Sequence, residues 1–267
     1  MIEHLSASSL KMFSRCAYQW LLYQEHGPIP PGIALIVGSS VHKGAELNNR
    51  HKLATEEDLP EDDVIDAARS EFAARLDKEG LYLTREEEPM ASKLLGDGVD
   101  TAVDLARLWR REVAPPIQPA LVEERISIRL AELDLPVIGY VDCVDRDHTL
   151  IETKTASKSW TANTADEEIQ PTLYRELVRS HTGRAPEKIR YDILVKTKTP
   201  KSQSIELVRD DSDWAALIER MRAMLAQIQA GSFPPCAPGW QCSEKFCGYW
   251  AICKYVPARL KSLPRTQ

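Results

Sequence analysis

The stretch 137-VIGYVDCVDRDHTLIETKTA-156 decides the fold, because its apolar letters predict two β-strands joined by a tight polar turn. We expect one strand at Val137–Val144 and the other at Thr149–Thr153, with the turn at 145–148. The residues around the turn are apolar and β-prone, which is typical of a central strand rather than an edge strand. The hairpin therefore predicts the middle of a β-sheet.

Three charged residues lie in these strands or directly after them, where burial of an unpaired charge is costly. Asp142 and Glu152 are ten residues apart across the turn, so their carboxylates can converge between strands about 4.8 Å apart. Lys154 follows Glu152 by two residues and shares its face of the strand. Two carboxylates about 4 Å apart repel by roughly 4 kcal/mol at an effective dielectric of about 20. A divalent cation reverses this repulsion, and oxygen ligands of this kind suit Mg²⁺ or Mn²⁺.

Two interpretations of this acid–acid–lysine pattern are open. For an isolated pattern, an exposed hairpin whose charges form surface pairs is about as frequent as a metal site. The apolar context favours the metal site, in which the cation activates a water and Lys154 orients that water or stabilises the transition state.

Outward from the hairpin, the chain is organised as a single domain over residues 1–267 with three regions. Residues 1–113 are predicted to be helical, residues 114–231 to form the core with its strands and two helices, and residues 232–257 to form a cysteine-rich segment. Within the helical region, "SASSLKMFSRCAYQWLLYQ" reads as one continuous helix, and another is expected after Gly38. The order of elements predicts an α/β fold with a central mixed sheet flanked by helices.

Composition limits the class of protein. The net charge is -6, which excludes a strongly basic chain but leaves nucleic-acid binding open, because local charge decides that property. The sequence contains no apolar run of about 18 residues and does not begin like a signal peptide, so we expect a cytoplasmic protein without a membrane span.

The six cysteines are unevenly spread, and four of them fall within eighteen residues near the C-terminus. In a reducing compartment such a cluster favours metal ligation over disulfides. A local zinc site would use Cys236, Cys242, Cys247 and Cys253, although the short C-x2-C spacing usual for zinc is missing. Cys143 directly follows Asp142 and is expected to be a small buried apolar residue.

Several segments together resemble one family. "GYVDCVDRDHTLIETKT" resembles the active-site hairpin of the PD-(D/E)XK nuclease superfamily, in its RecB/AddB-like branch. "GSSVHKGAE" and "QPTLY" are similar to that branch's histidine helix and Gln-x-x-x-Tyr motif. "CSEKFCGYWAICKY" together with Cys16 resembles the iron–sulfur staple of AddB-type nucleases and of the small exonucleases of CRISPR adaptation.

The resemblance implies a restriction-endonuclease-like sheet and a set of site residues. The implied metal ligands are His42, Asp142, Glu152 and the carbonyl of Thr153, with Asp142, Glu152 and Lys154 as the catalytic residues. Gln170 and Tyr174 would contact DNA. Cys16, Cys242, Cys247 and Cys253 would hold a [4Fe–4S] cluster that joins the N-terminal helices to the cysteine-rich segment.

Each of these motifs also has a simpler interpretation. An isolated His42 is more often a capping or solvated residue, and Gln170 with Tyr174 can be a pair on a helix surface. Glu46 lies four residues after His42 and is either a neighbour that orients it or an ordinary surface residue.

The expected activity is that of an Mg²⁺- or Mn²⁺-dependent deoxyribonuclease, an exonuclease that threads single-stranded ends. Partners in recombination, DNA repair or CRISPR adaptation follow from the resemblance. No G-x-x-x-x-G-K-[ST] motif is present, so no helicase motor is expected in this chain. The alternative is a non-catalytic nucleic-acid-binding or assembly subunit of such a complex, and the complete His–Asp–Glu–Lys set favours the enzyme.

Overall fold

The computed structural model describes residues 2–237, 239–258 and 261. It has the predicted α/β architecture, a five-stranded mixed sheet flanked by helices. The helices are α1 (Ala7–Arg15), α2 (Ala17–His26), α3 (Ile33–Thr55), α4 (Glu61–Glu79), α5 (Ala91–Leu108), α6 (Ala162–Asp166), α7 (Gln170–Thr182) and α8 (Asp211–Gln229). A 3₁₀ turn at Glu88–Met90 precedes α5, and a π-helical turn at Trp109–Val113 ends it. The strands are β1 (Pro119–Ile128), β2 (Val137–Asp145), β3 (Thr149–Ala156), β4 (Lys188–Val195) and β5 (Lys201–Leu207).

The strands lie in the order β1-β2-β3-β4-β5, so the hairpin of β2 and β3 is central, as its apolar residues predicted. β3 and β4 are parallel, while the other neighbouring strands of the described sheet are antiparallel. A parallel pair requires a crossover connection, and α6 and α7 provide it between β3 and β4. This crossover places the start of α7 near the charged end of β3.

β2 and β3 are paired over only a short distance. Their register includes Cys143 with Ile151 and Val144 with Leu150, and beyond these pairs the strands diverge. Beyond the divergence, Leu5 forms a parallel bridge with Val137 of β2. We call the opening between the diverging strands the β2–β3 fork, and it begins at Asp142 and Glu152.

Each face of the sheet has its own apolar core. One core joins the sheet to α1, α2, α7 and α8 through buried residues such as Leu10, Leu177 and Met221. The other joins it to α3, α4 and α5 and includes Cys143, which is buried among apolar residues as expected. The two helical layers leave the fork between them.

Two features differ from the sequence-based expectations. The predicted first helix is broken at Cys16, whose extended backbone (φ -164°, ψ 105°) ends α1 and begins α2. Its sulfur accepts the backbone N–H of Gln19 at 3.4 Å, so a polar side chain caps the new helix start. The second helix begins at Ile33 rather than after Gly38, because Ile36 and Val37 are buried in the core against the sheet.

Prolines and a glycine mark the boundaries of two other helices. α7 begins at Gln170 with Pro171 in its first turn, and α4 follows Pro60 and stops at Gly80. None of the helices in the described part of the chain combines the length and apolar character needed to cross a membrane.

Candidate active site

The β2–β3 fork brings His42 of α3 to Asp142 of β2. His42 Nδ1 lies 3.3 Å from Asp142 Oδ2, and the same carboxylate oxygen accepts the backbone N–H of Thr153 at 3.2 Å. The side chain of Asp142 thus takes the place of a strand–strand hydrogen bond where β2 and β3 separate. These contacts fix the carboxylate at the mouth of the fork.

Glu152 lies deeper, with no exposed surface. Its Oε2 atom accepts hydrogen bonds from Gln170 Nε2 at 2.6 Å and from Lys154 Nζ at 3.3 Å. Its Oε1 atom is buried and has no hydrogen-bond partner among the described residues. A buried carboxylate oxygen without a donor is costly in a protein interior, so this atom is suited to binding a cation or a proton.

The electrostatics of Glu152 and Lys154 agree with this interpretation. Burial and the nearby Asp142 carboxylate raise the pKa of Glu152 well above its usual value, although Lys154 opposes the shift. Burial lowers the pKa of Lys154, but the carboxylates of Glu152 and Asp142 outweigh it and leave the pKa raised. Lys154 is therefore protonated at neutral pH, and a divalent cation would favour the ionised form of Glu152.

Glu123 of β1 is a further acid at the site, and the sequence analysis missed it. It lies between Val122 and Glu124, which pair with Cys143 and Val141, so it faces Asp142 across the strands. Its backbone has a φ of 48°, a left-handed conformation that is unusual for a non-glycine residue. This irregularity turns its carboxylate toward His42 and Asp142, and ligand atoms of the three residues lie within 4.8 Å of one another. The acidic doublet Glu123–Glu124 inside a predicted strand is the signal that could have identified it.

The pKa of Glu123 is raised to about 7. The largest cause is burial, followed by the carboxylates of Asp142 and Glu46, while Arg50 and Lys43 lower it. Glu46 itself forms ion pairs with Lys43 and Arg50, so it contributes negative charge near Glu123. Burial and neighbouring carboxylates thus favour the protonated form of Glu123.

These donors fit a hard divalent cation. Carboxylate oxygens with one imidazole suit Mn²⁺ or Mg²⁺, and the unpartnered Oε1 of Glu152 adds an oxygen nearby. The geometry groups His42 and Asp142 with Glu123, whereas Glu152 is occupied by Gln170 and Lys154. The structure thus brings two of the expected ligands, His42 and Asp142, together with Glu123, and Glu152 lies deeper in the same fork.

Gln170 and Tyr174 lie on the face of α7 toward the fork. Tyr174 is 8% exposed and packs on Gly139, where an added Cβ would come within 2.7 Å of the tyrosine ring and 2.5 Å of Leu177. Glycine is required here because α7 approaches the strand too closely for a side chain. In this arrangement Gln170 orients Glu152, and both residues border the cavity described next.

Two open cavities meet at Lys154. The first, about 660 Å³, lies on the α3 side and is lined by His42, Glu123 and Asp142. It also includes three cationic side chains, Lys43, Arg75 and Lys196. The second, about 490 Å³, lies on the α7 side, and Lys154, Gln170 and Tyr174 line it. A chain-like substrate can therefore approach the acids from either side of the fork.

The cysteines form a separate site, which we call the cysteine cavity. It measures about 350 Å³ and is bordered by all the cysteines except Cys143, namely Cys16, Cys236, Cys242, Cys247 and Cys253. Cys236 donates its backbone N–H to the sulfur of Cys16 at 3.3 Å, and its sulfur lies 3.2 Å from that of Cys242. Within the described residues, no three cysteine sulfurs lie within 4.8 Å of one another.

The cysteine-rich segment is attached to the N-terminal helices by hydrogen bonds. Tyr18 donates its backbone N–H to Pro234, and the Tyr82 hydroxyl donates to the carbonyl of Glu244 at 2.9 Å. Tyr249 donates to the carbonyl of Gly27 at the end of α2. The segment thus contacts the helical region whether or not its cysteines hold a metal.

A protein of known structure shares this architecture. The crystal structure of a proposed exonuclease from Eubacterium rectale is similar in fold, with a TM-score of 0.59 and 15% identity over 99% of this chain and 90% of that one. The crystal structure of SSO0001 has a TM-score of 0.46 and 14% identity over 97% and 89% of the two chains. No curated protein matches the chain significantly. A sequence model of the PD-(D/E)XK nuclease superfamily matches residues 4–254, nearly the whole length, and the chain therefore belongs to that superfamily.

Proposed function

We propose that this protein is a metal-dependent DNA nuclease that digests single-stranded ends. The observation that carries the proposal is the convergence of His42, Asp142 and Glu123 within 4.8 Å at the mouth of the fork, beside the ion pair between buried Glu152 and half-buried Lys154. Membership of the nuclease superfamily implies a nucleic-acid substrate.

In the proposed site, His42, Asp142, Glu152 and the Thr153 carbonyl hold Mg²⁺ or Mn²⁺. The bound cation would supply Lewis acidity, which lowers the pKa of a water and offsets charge on the scissile phosphate. Lys154, held by Glu152 at 3.3 Å, orients the attacking water or donates to the phosphate oxygens. Gln170 fixes the rotamer of Glu152 through its 2.6 Å hydrogen bond and, with Tyr174, borders the path of the DNA strand.

A [4Fe–4S] cluster held by Cys16, Cys242, Cys247 and Cys253 is the second part of the proposal. The support is that these cysteines border one cavity although more than two hundred residues separate Cys16 from the others. Such a cluster would tie α1 and α2 to the C-terminal segment and so contribute to the stability of the fold. Cys236 borders the same cavity and is proposed not to be a ligand.

The proposed preference of the nuclease for free strand ends follows from the position of the helices. α3 and α4 form one wall of the larger cavity through His42 and Arg75, and the smaller cavity lies under the N-terminal segment. A strand that must pass between these walls enters most easily by a free end. Roles in recombination, DNA repair or CRISPR adaptation in the cytoplasm are consistent with such an activity.

The experiment is incubation of purified protein with end-labelled linear and circular single strands, with Mn²⁺ and with EDTA. We expect linear strands to be digested in Mn²⁺ faster than circles and not at all in EDTA. Equal rates on both forms would show an open endonuclease cleft instead. Binding without cleavage under all conditions would indicate a non-catalytic subunit.

A further inference from the structure

The cationic residues that border the larger cavity differ in whether the chain supplies a counter-ion for them. Lys43 Nζ lies 2.8 Å from a carboxylate oxygen of Glu46, and Arg75 Nε lies 3.1 Å from one of Glu71. Lys196 borders the same cavity, but its ammonium group has neither a carboxylate nor a hydrogen-bond acceptor beside it among the described residues. Lys196 is therefore available to an anion that enters the cavity.

The side chain of Lys196 points to the α3 side of the sheet. Lys196 directly follows β4, and its backbone N–H donates to the carbonyl of Ala156 at 2.7 Å, which continues the parallel pairing with β3. Val195 packs in the core with α7 and α8, whereas Leu194 packs in the core with α3, α4 and α5. Since successive side chains of a strand alternate between its faces, Lys196 shares the face of Leu194 and so the side of the larger cavity. It is half-buried there.

Thr155 of β3 places a hydroxyl on the same side of the sheet. A Cβ added to Gly38 of α3 would lie 3.4 Å from Thr155 Oγ1, so this side chain points toward α3. Both residues border the larger cavity, and the Thr155 hydroxyl has no hydrogen-bond partner in the described part of the chain. A hydroxyl donor and an ammonium group, both without partners in the protein, therefore lie on one wall of this cavity.

The two lysines of the larger cavity have different electrostatic surroundings. The carboxylates of Glu152 and Asp142 raise the pKa of Lys154. Burial lowers the pKa of Lys196, and no nearby carboxylate of the described residues opposes this shift. A half-buried charge without a counter-ion is unfavourable, so an anion bound beside Lys196 would offset the cost of its burial.

From these observations we propose that Lys196, together with the Thr155 hydroxyl, binds one backbone phosphate next to the phosphate that is cut. Lys154 pairs with Ile193, and Lys196 lies three residues farther along, about 10 Å at about 3.3 Å per residue. The two lysines also start from opposite faces of the sheet, so they engage different phosphates. The inference rests on the proposed nuclease function and adds the course of the strand, which runs from Lys154 into the larger cavity. A phosphate contact positions the strand without reading its bases.

The first experiment measures the affinity for a fluorescent oligothymidylate in EDTA at several salt concentrations. We expect Lys196→Met to weaken binding by about tenfold and to reduce the slope of log affinity against log salt by about 0.7, the contribution of one phosphate of a single strand. Lys196→Arg, which keeps the charge, should retain the slope. Native affinity and slope in Lys196→Met would overturn the proposal.

Lys198→Met is the matched control, because it removes the same charge from an exposed lysine that borders neither cavity. It should bind within about twofold of the native protein. The melting temperature of Lys196→Met should be unchanged or higher, because methionine keeps the apolar stem and removes an unpaired charge. Equal weakening in both variants would show a general effect of net charge and contradict a phosphate site at Lys196.

The second experiment changes the substrate instead of the protein. A set of oligonucleotides carries one neutral methylphosphonate linkage, moved one position at a time along the strand. The native protein should lose about tenfold in affinity at one linkage beside the linkage that is cut in Mn²⁺. Lys196→Met should show no loss there, because the phosphate and the lysine form one interaction. Equal sensitivity of both proteins at every linkage would contradict the site.

The two hypotheses fail in different ways. Normal Mn²⁺-dependent cleavage with unaltered binding by Lys196→Met would remove the phosphate site and leave the nuclease intact. A loss at one linkage that depends on Lys196, in a protein that never cuts, would keep the phosphate site and remove the nuclease. A native protein that binds no oligonucleotide would overturn both.

Discussion

The β2–β3 fork and the cysteine cavity both contain side chains of types that can bind metals, but the backbone supports them differently. In the fork, His42, Glu123, Asp142 and Glu152 lie on one helix and three adjacent strands. Hydrogen bonds from Thr153 and Gln170 already orient two of the carboxylates. In the cysteine cavity, all the bordering cysteines except Cys16 follow α8 in a segment of turns.

Because of this difference, we expect the fork to determine activity and the cysteine cavity to determine stability. Where a sheet holds the donors, the site exists before the cation arrives, and its repelling carboxylates cost stability in the metal-free protein. Where turns hold the donors, the bound group itself fixes the backbone, and its binding energy is part of the folding energy. Substitutions in the fork should therefore change activity, and substitutions at the cysteines should change stability.

The largest expected effect is that of Asp142→Ala. We expect cleavage of linear single strands to fall by about a thousandfold or more, because a cation worth several kcal/mol to the transition state loses a central ligand. The melting temperature should stay unchanged or rise, because a repelling charge is gone. Glu152→Ala and Lys154→Ala should also abolish cleavage. A rate near that of the native protein for Asp142→Ala, with contamination excluded, would place the active site elsewhere.

The opposite pattern is expected at the cysteines. Serine at Cys16, Cys242, Cys247 or Cys253 should remove the brown colour of anaerobically purified protein and lower its melting temperature by about 10 °C, because several kcal/mol of binding energy is lost. Cys236→Ser is the matched control and should stay brown. Iron content and calorimetry measure both effects. A colourless protein with one zinc, lost in Cys236→Ser and kept in Cys16→Ser, would reverse the assignment.

A smaller effect concerns Glu123 and tests whether this residue belongs to the metal site of the fork. Its folded pKa of about 7 exceeds the usual 4.5, so its contribution to the stability of the metal-free protein is present below pH 4.5 and lost as the pH rises to about 7. Bound Mn²⁺ reverses this trend, since the cation requires the ionised form. The melting-temperature gain from Mn²⁺ should therefore grow between about pH 5.5 and 8.

Glu123→Gln should reduce that growth and weaken Mn²⁺ binding by about tenfold, measured by calorimetry. The melting-temperature gain from Mn²⁺ will still depend on pH in Glu123→Gln, because the pKa of Glu152 is also raised. Glu124→Gln is the control, since Glu124 is adjacent but does not belong to the group with His42 and Asp142. Identical Mn²⁺ affinity in the two variants would exclude Glu123 from the metal site.

The smallest effect tests the rigidity of the fork. Gly139→Ala places a Cβ 2.5 Å from Leu177 and should cost about 1–3 kcal/mol, or roughly 3–9 °C in melting temperature. Gly96→Ala, inside α5 with no atom within 4 Å of the added Cβ, should instead be neutral or stabilising. Equal melting temperatures for both variants would show that α7 can shift away from the strand.

Much of this architecture is predictable because it follows local periodicity. The alternating residues of the hairpin predict β2 and β3, and Pro171 marks the first turn of α7. The placement of Asp142 and Glu152 on neighbouring strands follows from the hairpin connection. These inferences use only neighbours in the chain or across one turn.

The remaining features depend on contacts and local backbone geometry that the periodicity of the sequence does not reveal. Apolar residues keep helical spacing across Cys16, so the sequence pattern does not reveal the break between α1 and α2. At this break the sulfur of Cys16 accepts the backbone N–H of Cys236, which lies near the other end of the chain. The sequence pattern of β1 is that of a regular strand, so it does not predict the left-handed backbone of Glu123. This irregularity is confined to one residue, where it changes the direction of the side chain.

The bridge between Leu5 and Val137 has a consequence for how the protein should be produced. Two hydrogen bonds, from Leu5 N–H to Pro136 at 2.9 Å and from Ile138 N–H to Leu5 at 2.8 Å, cover the side of β2 that β3 has left. An uncovered strand side is a template for pairing with other molecules and promotes aggregation. Deletion of residues 2–5, or a fusion tag that pulls them away, should therefore yield protein that self-associates during purification even with every catalytic residue in place.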